Sequence, residues 1–182
     1  MFRAGGGLPG CDADLSKPDQ IRAMVAKVQG SLGVISVLQW SAYAGTAGDL
    51  TTATSAELSA TLDVAVTGLV AAVQATLPDL RATKGAVLVT NGGLGFFDPK
   101  LDAMAVEWNA MGLSVANSAK HKAAAMLAHK LKPDGVYVGE IMVTGTIKGT
   151  AFDQGNATIA ASTISEKFWQ LYQDRTQASV TI

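Results

Sequence analysis

The stretch that decides the fold is GAVLVTNGGLG, residues 85–95. Its first six residues form a short, continuously apolar run, which predicts a strand over 85–90 that is buried on both faces. Asn91 and the glycines after it predict a turn directly at the end of this strand. Strands buried on both faces are typical of parallel sheets, so the neighbouring segments determine the architecture.

Helical and strand patterns alternate on both sides of this stretch. Helical spacing of apolar residues covers 18–29, 54–77, 99–110, 113–131 and 163–174, and short β-rich runs cover 8–15, 34–38, 136–143 and 178–182. A Thr54/Glu57 capping box begins the second helix and Pro78 is expected to end it. Strands separated by helices imply right-handed crossovers and a parallel sheet with helices on both faces. We therefore predict a single α/β domain over 1–182.

Composition limits the classes of function. Of the 182 residues, 48% are hydrophobic and 16% are charged, which favours a sizeable core or an oligomer. With 14 Lys and Arg against 15 Asp and Glu, no basic footprint for nucleic acid is expected. The most apolar long stretch, 62–77, is interrupted by Asp63, Thr67 and Gln74, so no membrane partner is expected. A lone cysteine, Cys11, excludes a disulfide scaffold and favours the cytoplasm.

The segment order resembles a short-chain dehydrogenase/reductase over about residues 10–182. Six segments carry the resemblance: DADLS (12–16), VLQWSAY (37–43), LDVAVTG (62–68), VLVTNGGLG (87–95), SAKHKAA (118–124) and TGTIKGT (144–150). They resemble, in order, the family's adenine-contacting Asp-hydrophobe pair, its Asn-Asn-Ala-Gly strand end, its long helix, its active-site turn, its Tyr-x-x-x-Lys helix and its loop over nicotinamide.

The resemblance implies a fold and an activity. The fold is a Rossmann-like three-layer sandwich with a mostly parallel sheet of about five strands, lacking the first βαβ phosphate-binding unit. The activity is that of an NAD(P)-linked oxidoreductase on an unassigned carbonyl or alcohol substrate. GGGLPG (5–10) satisfies a bare Gly-x-Gly-x-x-Gly pattern, but too few residues precede it for a strand. We expect 1–9 to be a flexible arm and the chain to be a truncated product or a fragment of a longer gene.

The positions that match the family's catalytic groups mostly carry other residues. Where the family has tyrosine, lysine, serine and asparagine, this sequence has Ser118, Lys122, Gly92 and Ala65. Only the lysine is retained, and no Tyr-x-x-x-Lys occurs anywhere in the sequence. A serine hydroxyl is far less acidic than a phenol, so Ser118 needs another acid or base beside it. A weakened or altered catalytic set is therefore expected.

Four residues are candidates for the missing chemistry, each with a structural alternative. Lys122 would act as an acid or bind ribose, or be a solvated lysine; Ser118 would relay a proton or pack against a helix. Tyr43 would donate a proton or pack, and Asn91 would orient a carbonyl or serve only as a turn residue. The resemblance also implies cofactor contacts from Asp14, Leu15, Ser41, Lys122, Gly145, Ile147 and Thr150. No metal site is expected, because His121 and His129 lie two turns apart.

The geometry of a parallel sheet and the apolar helices lead to two further expectations. Ligands bind beyond the carboxyl ends of parallel strands, so Ser41, Asn91 and Thr150 should share one rim. The resemblance implies a homodimer through helices 54–77 and 113–131. Residues 96–112 would form a lid with an apolar underside of Phe96, Phe97 and Trp108, or simply cap the core. A non-catalytic dimerising module and an incomplete gene product remain the alternatives to an enzyme.

Overall fold

Four parallel strands form the sheet in the computed structural model, which describes residues 12–150 and 152–182. They are β1 (Val37–Trp40), β2 (Ala86–Gly92), β3 (Tyr137–Val143) and β4 (Ser179–Thr181), in the spatial order β1-β2-β3-β4. Every adjacent pair is parallel. The predicted α/β class and parallel sheet are confirmed, with four strands in the described part of the chain where about five were expected.

Six α-helices connect and cover the strands. They are α1 (Pro18–Leu32), α2 (Ser55–Leu62), α3 (Gly68–Thr83), α4 (Pro99–Glu107), α5 (Met111–Leu131) and α6 (Ala161–Asp174). A π-helical turn, Asp63–Thr67, joins α2 to α3 without a break. The predicted capping box is present: Thr54 and Glu57 hydrogen-bond each other's backbone N–H at the start of α2.

Two layers of helix enclose the sheet. One face carries the larger core, in which Ile21 of α1 and Leu69 of α3 pack with Val87 and Val89 of β2. The other face carries a smaller core that joins Ile141 of β3 to α6. The strands are apolar on both faces because each face is covered, which is the three-layer arrangement expected.

Three predicted boundaries are wrong. The 8–15 strand is absent where it can be seen: residues 12–15 form a loop and turn, because Asp14 accepts hydrogen bonds from Ser16. Residues 1–11, which include the predicted arm and Cys11, lie outside the described residues. The 34–38 strand starts only at Val37, where pairing with β2 begins. Pro78 lies inside α3, which continues because Leu80, two residues further on, is fully buried.

The continuous helix over residues 55–83 is long and apolar. By length and composition it is the one helix among the described residues that could cross a membrane, and 44% of its most apolar window is buried inside the protein. Burial of this kind is equally typical of a core helix. Its contacts with α1 and α5 place it in the layered core.

Two helical glycines predict opposite responses to alanine. A Cβ at Gly68 would lie 2.3 Å from the backbone oxygen of Leu15, whereas a Cβ at Gly30 in α1 meets nothing within 4 Å. Gly68→Ala should therefore lower the free energy of unfolding by about 1–3 kcal/mol, and Gly30→Ala should raise it by about 0.5–1 kcal/mol. Urea denaturation of both variants checks this, and equal shifts of the two midpoints would contradict the close approach at Gly68.

Candidate functional site

The carboxyl ends of the strands share one rim, as a parallel sheet requires. The hydroxyl oxygen of Ser41, just after β1, lies 2.9 Å from the hydroxyl oxygen of Thr90 in β2. The loop after β1 also meets the loop after β3, because the rings of Tyr43 and Phe152 lie 5.9 Å apart. The rim is therefore formed by the segments that the sequence predicts.

A cavity of about 300 Å³ lies beside the outer edge of β1. Leu15, Ser41 and Ala42 line it together with residues of α1 and β1. Trp40 also lines it, and the buried Trp40 Nε1 has no hydrogen-bond partner among the described residues. The structure thus brings two predicted cofactor residues, Leu15 and Ser41, to one cavity, which Trp40 also lines.

Asp14 lies next to this cavity but faces its own turn. Its carboxylate accepts hydrogen bonds from the Ser16 hydroxyl at 2.7 Å and from the Ser16 N–H at 2.9 Å. These bonds hold the pKa of Asp14 below its ordinary value. In this position the Asp14 side chain fixes the turn before α1.

The lysine that reaches the interior is Lys120, and Lys122 is exposed. Lys120 is 2% exposed and its Nζ lies 3.4 Å from the carbonyl oxygen of Ala42, a residue that lines the cavity. Burial lowers the pKa of Lys120 to about 8, and the nearby charge of Glu140 partly offsets this effect. Lys122, which the resemblance places in the site, lies about half a turn of α5 away from Lys120, and the residue four before Lys120 is Ala116.

A buried acid, Glu140 of β3, connects the elements around the rim. It is 1% exposed and accepts hydrogen bonds from Asn91 Nδ2 at 2.8 Å and from the Ser179 hydroxyl at 3.2 Å. Its other contact is with His121 Nδ1, at 2.5 Å. The side chain of His121 is 34% exposed, so this residue links the buried acid to the surface.

Asn91 organises this cluster and has no hydrogen free for a ligand. Its Nδ2 donates to the backbone oxygen of Asn117 at 2.9 Å as well as to Glu140, and its Oδ1 accepts the N–H of Gly92. Asn91 is 3% exposed. Both amide hydrogens, which the sequence prediction assigns to a substrate carbonyl, bind the protein in this structure, so Asn91 ties β2 to α5 and β3.

The turn after β2 lies directly against α5. A Cβ at Gly95 would lie 2.8 Å from the backbone carbon of Asn117, so only a residue without a side chain allows this contact. The hydroxyl of Ser118 donates to the backbone oxygen of Gly95 at 2.9 Å and lies 3.1 Å from the backbone oxygen of Ser114. Ser118 therefore bonds to backbone, as expected of a residue that packs α5 against the turn.

The position that matches the family's serine is filled by a neighbouring side chain. Gly92 has φ −107° and ψ 143°, an ordinary extended backbone. A Cβ there would lie 2.7 Å from Asn117 Nδ2. The other matching position, Ala65, is buried inside the π-helical turn, a feature often found at functional sites.

The loop after β3 forms its own compact turn. Ile147 pairs with Ile159 in an isolated parallel bridge, and Gly145 lies so close to Ile159 that a Cβ would meet Cδ1 at 2.9 Å. The Thr150 hydroxyl donates to the Ile147 oxygen at 2.8 Å. The three predicted nicotinamide residues thus lie in one loop, where Thr150 stabilises the turn.

Residues 96–112 do not carry the predicted apolar underside as a group. Phe97 is 96% exposed and Trp108 is 59% exposed, so neither covers the rim. Phe96 alone faces inward, with its ring edge-on to His121 at 5.8 Å. The segment packs instead against the start of α5, where Gly112 donates its N–H to Ala47.

The residues that sequence reasoning missed are Lys120, Glu140 and Asn117. Glu140 and Lys120 had a signal in the sequence. Glu140 interrupts an otherwise apolar strand, VYVGEIMV (136–143), and a charge there requires buried partners. Lys120 shares a helical face with Ala116 and Ala124, both buried small residues, whereas the serine-lysine spacing drew attention to Lys122.

The depressed pKa of Lys120 predicts a specific pH dependence of stability. The folded state binds the lysine proton less tightly than the unfolded state, in which the pKa of the lysine is near its ordinary value of 10.5. The cost of burying the charge is therefore complete below about pH 8 and disappears as the pH rises toward 10.5. Relative to Lys120→Met, the wild type should gain about 3 kcal/mol across this interval. Urea denaturation over this pH range measures the difference, and Lys122→Met should show no such gain.

Comparison with known proteins places the chain in a family. Its parallel layers and the polar rim at the strand ends define a Rossmann-like α/β protein. A family model described as Enoyl-(Acyl carrier protein) reductase matches residues 3–166. The chain belongs to this family, which is part of the short-chain dehydrogenase/reductase oxidoreductases. No curated protein matches the sequence.

Solved structures with the same fold cover nearly the whole chain. A short-chain dehydrogenase from Burkholderia cenocepacia J2315 in complex with NADP is 22% identical, with a TM-score of 0.79 over 94% of this chain and 73% of that one. L-Sorbose reductase from Gluconobacter frateurii, complexed with NADPH and L-sorbose, is 16% identical, with a TM-score of 0.77 over 94% and 74%. An NADPH-bound short-chain oxidoreductase from Pseudomonas aeruginosa PAO1, described as containing an atypical catalytic center, is 18% identical, with a TM-score of 0.77 over 93% and 72%.

Proposed function

We propose that this chain is an NAD(P)-linked oxidoreductase that interconverts a carbonyl compound and an alcohol, with Lys120 as its proton-exchanging residue. The observation that supports the proposal most is the burial of Lys120 at the rim, beside the Ala42 oxygen and near Glu140. A lysine with a pKa near 8 exchanges protons close to neutral pH, as an acid-base group requires. The family to which the chain belongs supports the reaction class.

The cavity beside β1 fits the adenosine part of a dinucleotide. Its apolar wall includes Leu15, Ala42 and the ring of Trp40, whose buried Nε1 has no hydrogen-bond partner among the described residues. Ser41 at the same wall would contact the ribose side. When bound, the nicotinamide cofactor supplies the hydride. Two neighbours of the same fold are described as binding NADP or NADPH, which supports this assignment.

Lys120 would take over the proton that the family's tyrosine transfers. In carbonyl reduction the ammonium of Lys120 gives a proton to the carbonyl oxygen as the hydride reaches the carbonyl carbon, and an alcohol forms. The neutral amine then recovers a proton from solvent. Glu140 favours the charged form of Lys120, which keeps the donor protonated at the start of each cycle. A structure of this fold described as having an atypical catalytic center supports the idea that the fold accommodates other catalytic groups.

Binding of NADH or NADPH tests the proposal directly. Excitation of tryptophan should give energy transfer to the bound nicotinamide, and Trp40→Phe should lose much of that signal because Trp40 lines the cavity. A panel of a ketose, a β-keto ester and an aromatic aldehyde then reports turnover by the loss of reduced cofactor. Failure of both cofactors to bind at millimolar concentration would overturn the proposal.

A non-catalytic dimerising module is the alternative. It is favoured by small residues at the positions that match the family's reactive groups. Gly92 and Ala65 stand where the family has serine and asparagine, and Ala116 stands where the family's tyrosine would lie if Lys120 is its lysine. Turnover of any member of the panel that depends on Lys120 would exclude this alternative.

A homodimer remains a proposal under either function. Val115 and Met126 of α5 are 41% and 57% exposed, so this helix presents apolar side chains that a second copy would cover. The long helix over residues 55–83 is only partly buried and would contribute the second pair. Sedimentation equilibrium of the wild type and of Met126→Glu would distinguish a dimer from a monomer.

A further inference from the structure

The environment of Asn117 is unusual for a buried amide. Asn117 is 4% exposed, and its backbone oxygen accepts a hydrogen bond from Asn91. Its side-chain amide makes no hydrogen bond to any residue in the described ranges. Little solvent reaches this amide, so its hydrogen-bonding capacity is largely unused, and its retention requires an explanation. The amide is not sealed from solvent as Trp40 Nε1 is, which leaves room for a ligand atom to reach it.

The position of this amide relative to β2 supplies that explanation. The backbone at Gly92 has ordinary extended angles and would accept any residue. The atoms within 4 Å of a Cβ built there are Nδ2 and Cγ of Asn117, at 2.7 and 3.6 Å. The amide of Asn117 therefore fills the space that a side chain of residue 92 would occupy, at the carboxyl end of a central strand.

The anchoring of Asn117 is suited to a fixed donor. Asn91 donates a hydrogen bond to its backbone oxygen. The turn at Gly95 packs against its backbone so closely that a Cβ at residue 95 would lie 2.8 Å from the backbone carbon of Asn117. A donor whose backbone is held on two sides loses little freedom when a ligand binds. Lys120 lies three residues further along α5, on a neighbouring part of the same face.

We propose that Asn117 is a catalytic residue that binds the substrate carbonyl oxygen through its Nδ2 hydrogens, replacing from α5 the donor that β2 lacks at Gly92. This inference rests on the proposed oxidoreductase function and names the group that polarises the carbonyl. As the hydride adds to the carbonyl carbon, the C=O π electrons move to oxygen, Asn117 stabilises the negative charge by hydrogen bonding, and Lys120 delivers the proton. No electron or atom is taken from Asn117 itself.

A donor-exchange experiment tests the proposal. Asn117→Ala should lower kcat by about 10²–10³, the loss typical of removing one such donor, and leave NADPH binding unchanged. The double variant Gly92→Ser with Asn117→Ala returns a hydroxyl to the vacated space, and it should recover at least about tenfold of the lost rate. Gly92→Ser alone should displace the Asn117 amide, because its Cβ would lie 2.7 Å from Asn117 Nδ2. A purely structural role for Asn117 predicts no rescue by a hydroxyl at position 92.

A second measurement decides the proposal without turnover. Isobutyramide, a carbonyl compound that is not reduced, is titrated into ¹⁵N-labelled protein with and without NADPH. The Asn117 side-chain NH₂ signals, assigned by their loss in Asn117→Ala, should move downfield as they bind the carbonyl oxygen. Signals that stay in place overturn the proposal, as does an Asn117→Ala enzyme that keeps the wild-type kcat. Failure of NADPH to bind would instead overturn the proposed function, and the isobutyramide titration would still decide the role of Asn117.

Discussion

Replacement of Glu140 by alanine is expected to lower the free energy of unfolding by about 3–5 kcal/mol. The carboxylate is 1% exposed: its Oε1 accepts a hydrogen bond from Asn91, and its Oε2 accepts one from Ser179 and lies 2.5 Å from His121 Nδ1. Its loss leaves these polar groups without a partner and removes the nearest negative charge from the buried Lys120. The largest costs fall on Asn91 and Lys120, because both are buried and cannot recover water in place of the carboxylate.

Glu140→Gln is the matched control for this prediction. The amide keeps the shape of the side chain and an oxygen that accepts from Asn91, so we expect a much smaller loss of stability. Urea denaturation of the wild type and both variants gives the comparison. The midpoints report stability directly where the free energy of unfolding falls with urea at the same slope in all three proteins. Equal stability of Glu140→Ala and Glu140→Gln would show that the hydrogen bonds of Glu140 contribute little.

The sheet was predictable because its signals are local. An unbroken apolar run such as GAVLV at 85–89 is buried on both faces in any parallel sheet, and helical spacing between such runs leaves few topologies. Helix ends depend on tertiary contacts and were less predictable. Pro78 removes one hydrogen bond from α3, but burial of Leu80 and a left-handed end at Lys84 carry the helix further. A proline alone therefore does not end a helix whose next turn is in the core.

The site was predictable in location and not in detail. The rim follows from strand direction, and Leu15 and Ser41 do share a cavity there. Which lysine of α5 points inward depends on the rotation of one helix, and residues 120 and 122 differ by about 200° around it. The amide of Asn117 could not be assigned from sequence, because its contact with Gly92 joins residues on separate elements.

The polar rim has a consistent physical logic. Lys120 and Glu140 would each be costly to bury alone, and they occur together on facing elements, where the charge of Glu140 favours the charged form of Lys120. Burial nevertheless has the larger effect on Lys120 and lowers its pKa to about 8. A structural ion pair would keep the lysine charged over the whole neutral range, so this balance favours a group that exchanges protons.

Lys120→Met is accordingly expected to lower the rate of carbonyl reduction by about 10²–10⁴, the usual contribution of a positioned acid. In the wild type the rate should fall as the pH rises through about 8, since only the ammonium form can donate. The methionine variant should lose this pH dependence together with its rate. Its fold should persist, because methionine fills a similar volume and removes a charge that burial disfavours.

Lys122→Met provides the matched control, since it removes the same charge two residues further along α5 from an exposed position. It should keep both the rate and the fall near pH 8. Steady-state reduction of the best member of the carbonyl panel, measured across this pH range for the three proteins, separates the two lysines. If Lys120→Met retains the rate and pH profile of the wild type, Lys120 is not the acid. If Lys122→Met loses both instead, the exposed lysine must turn inward when the cofactor binds, and the assignment of the site to Lys120 is wrong.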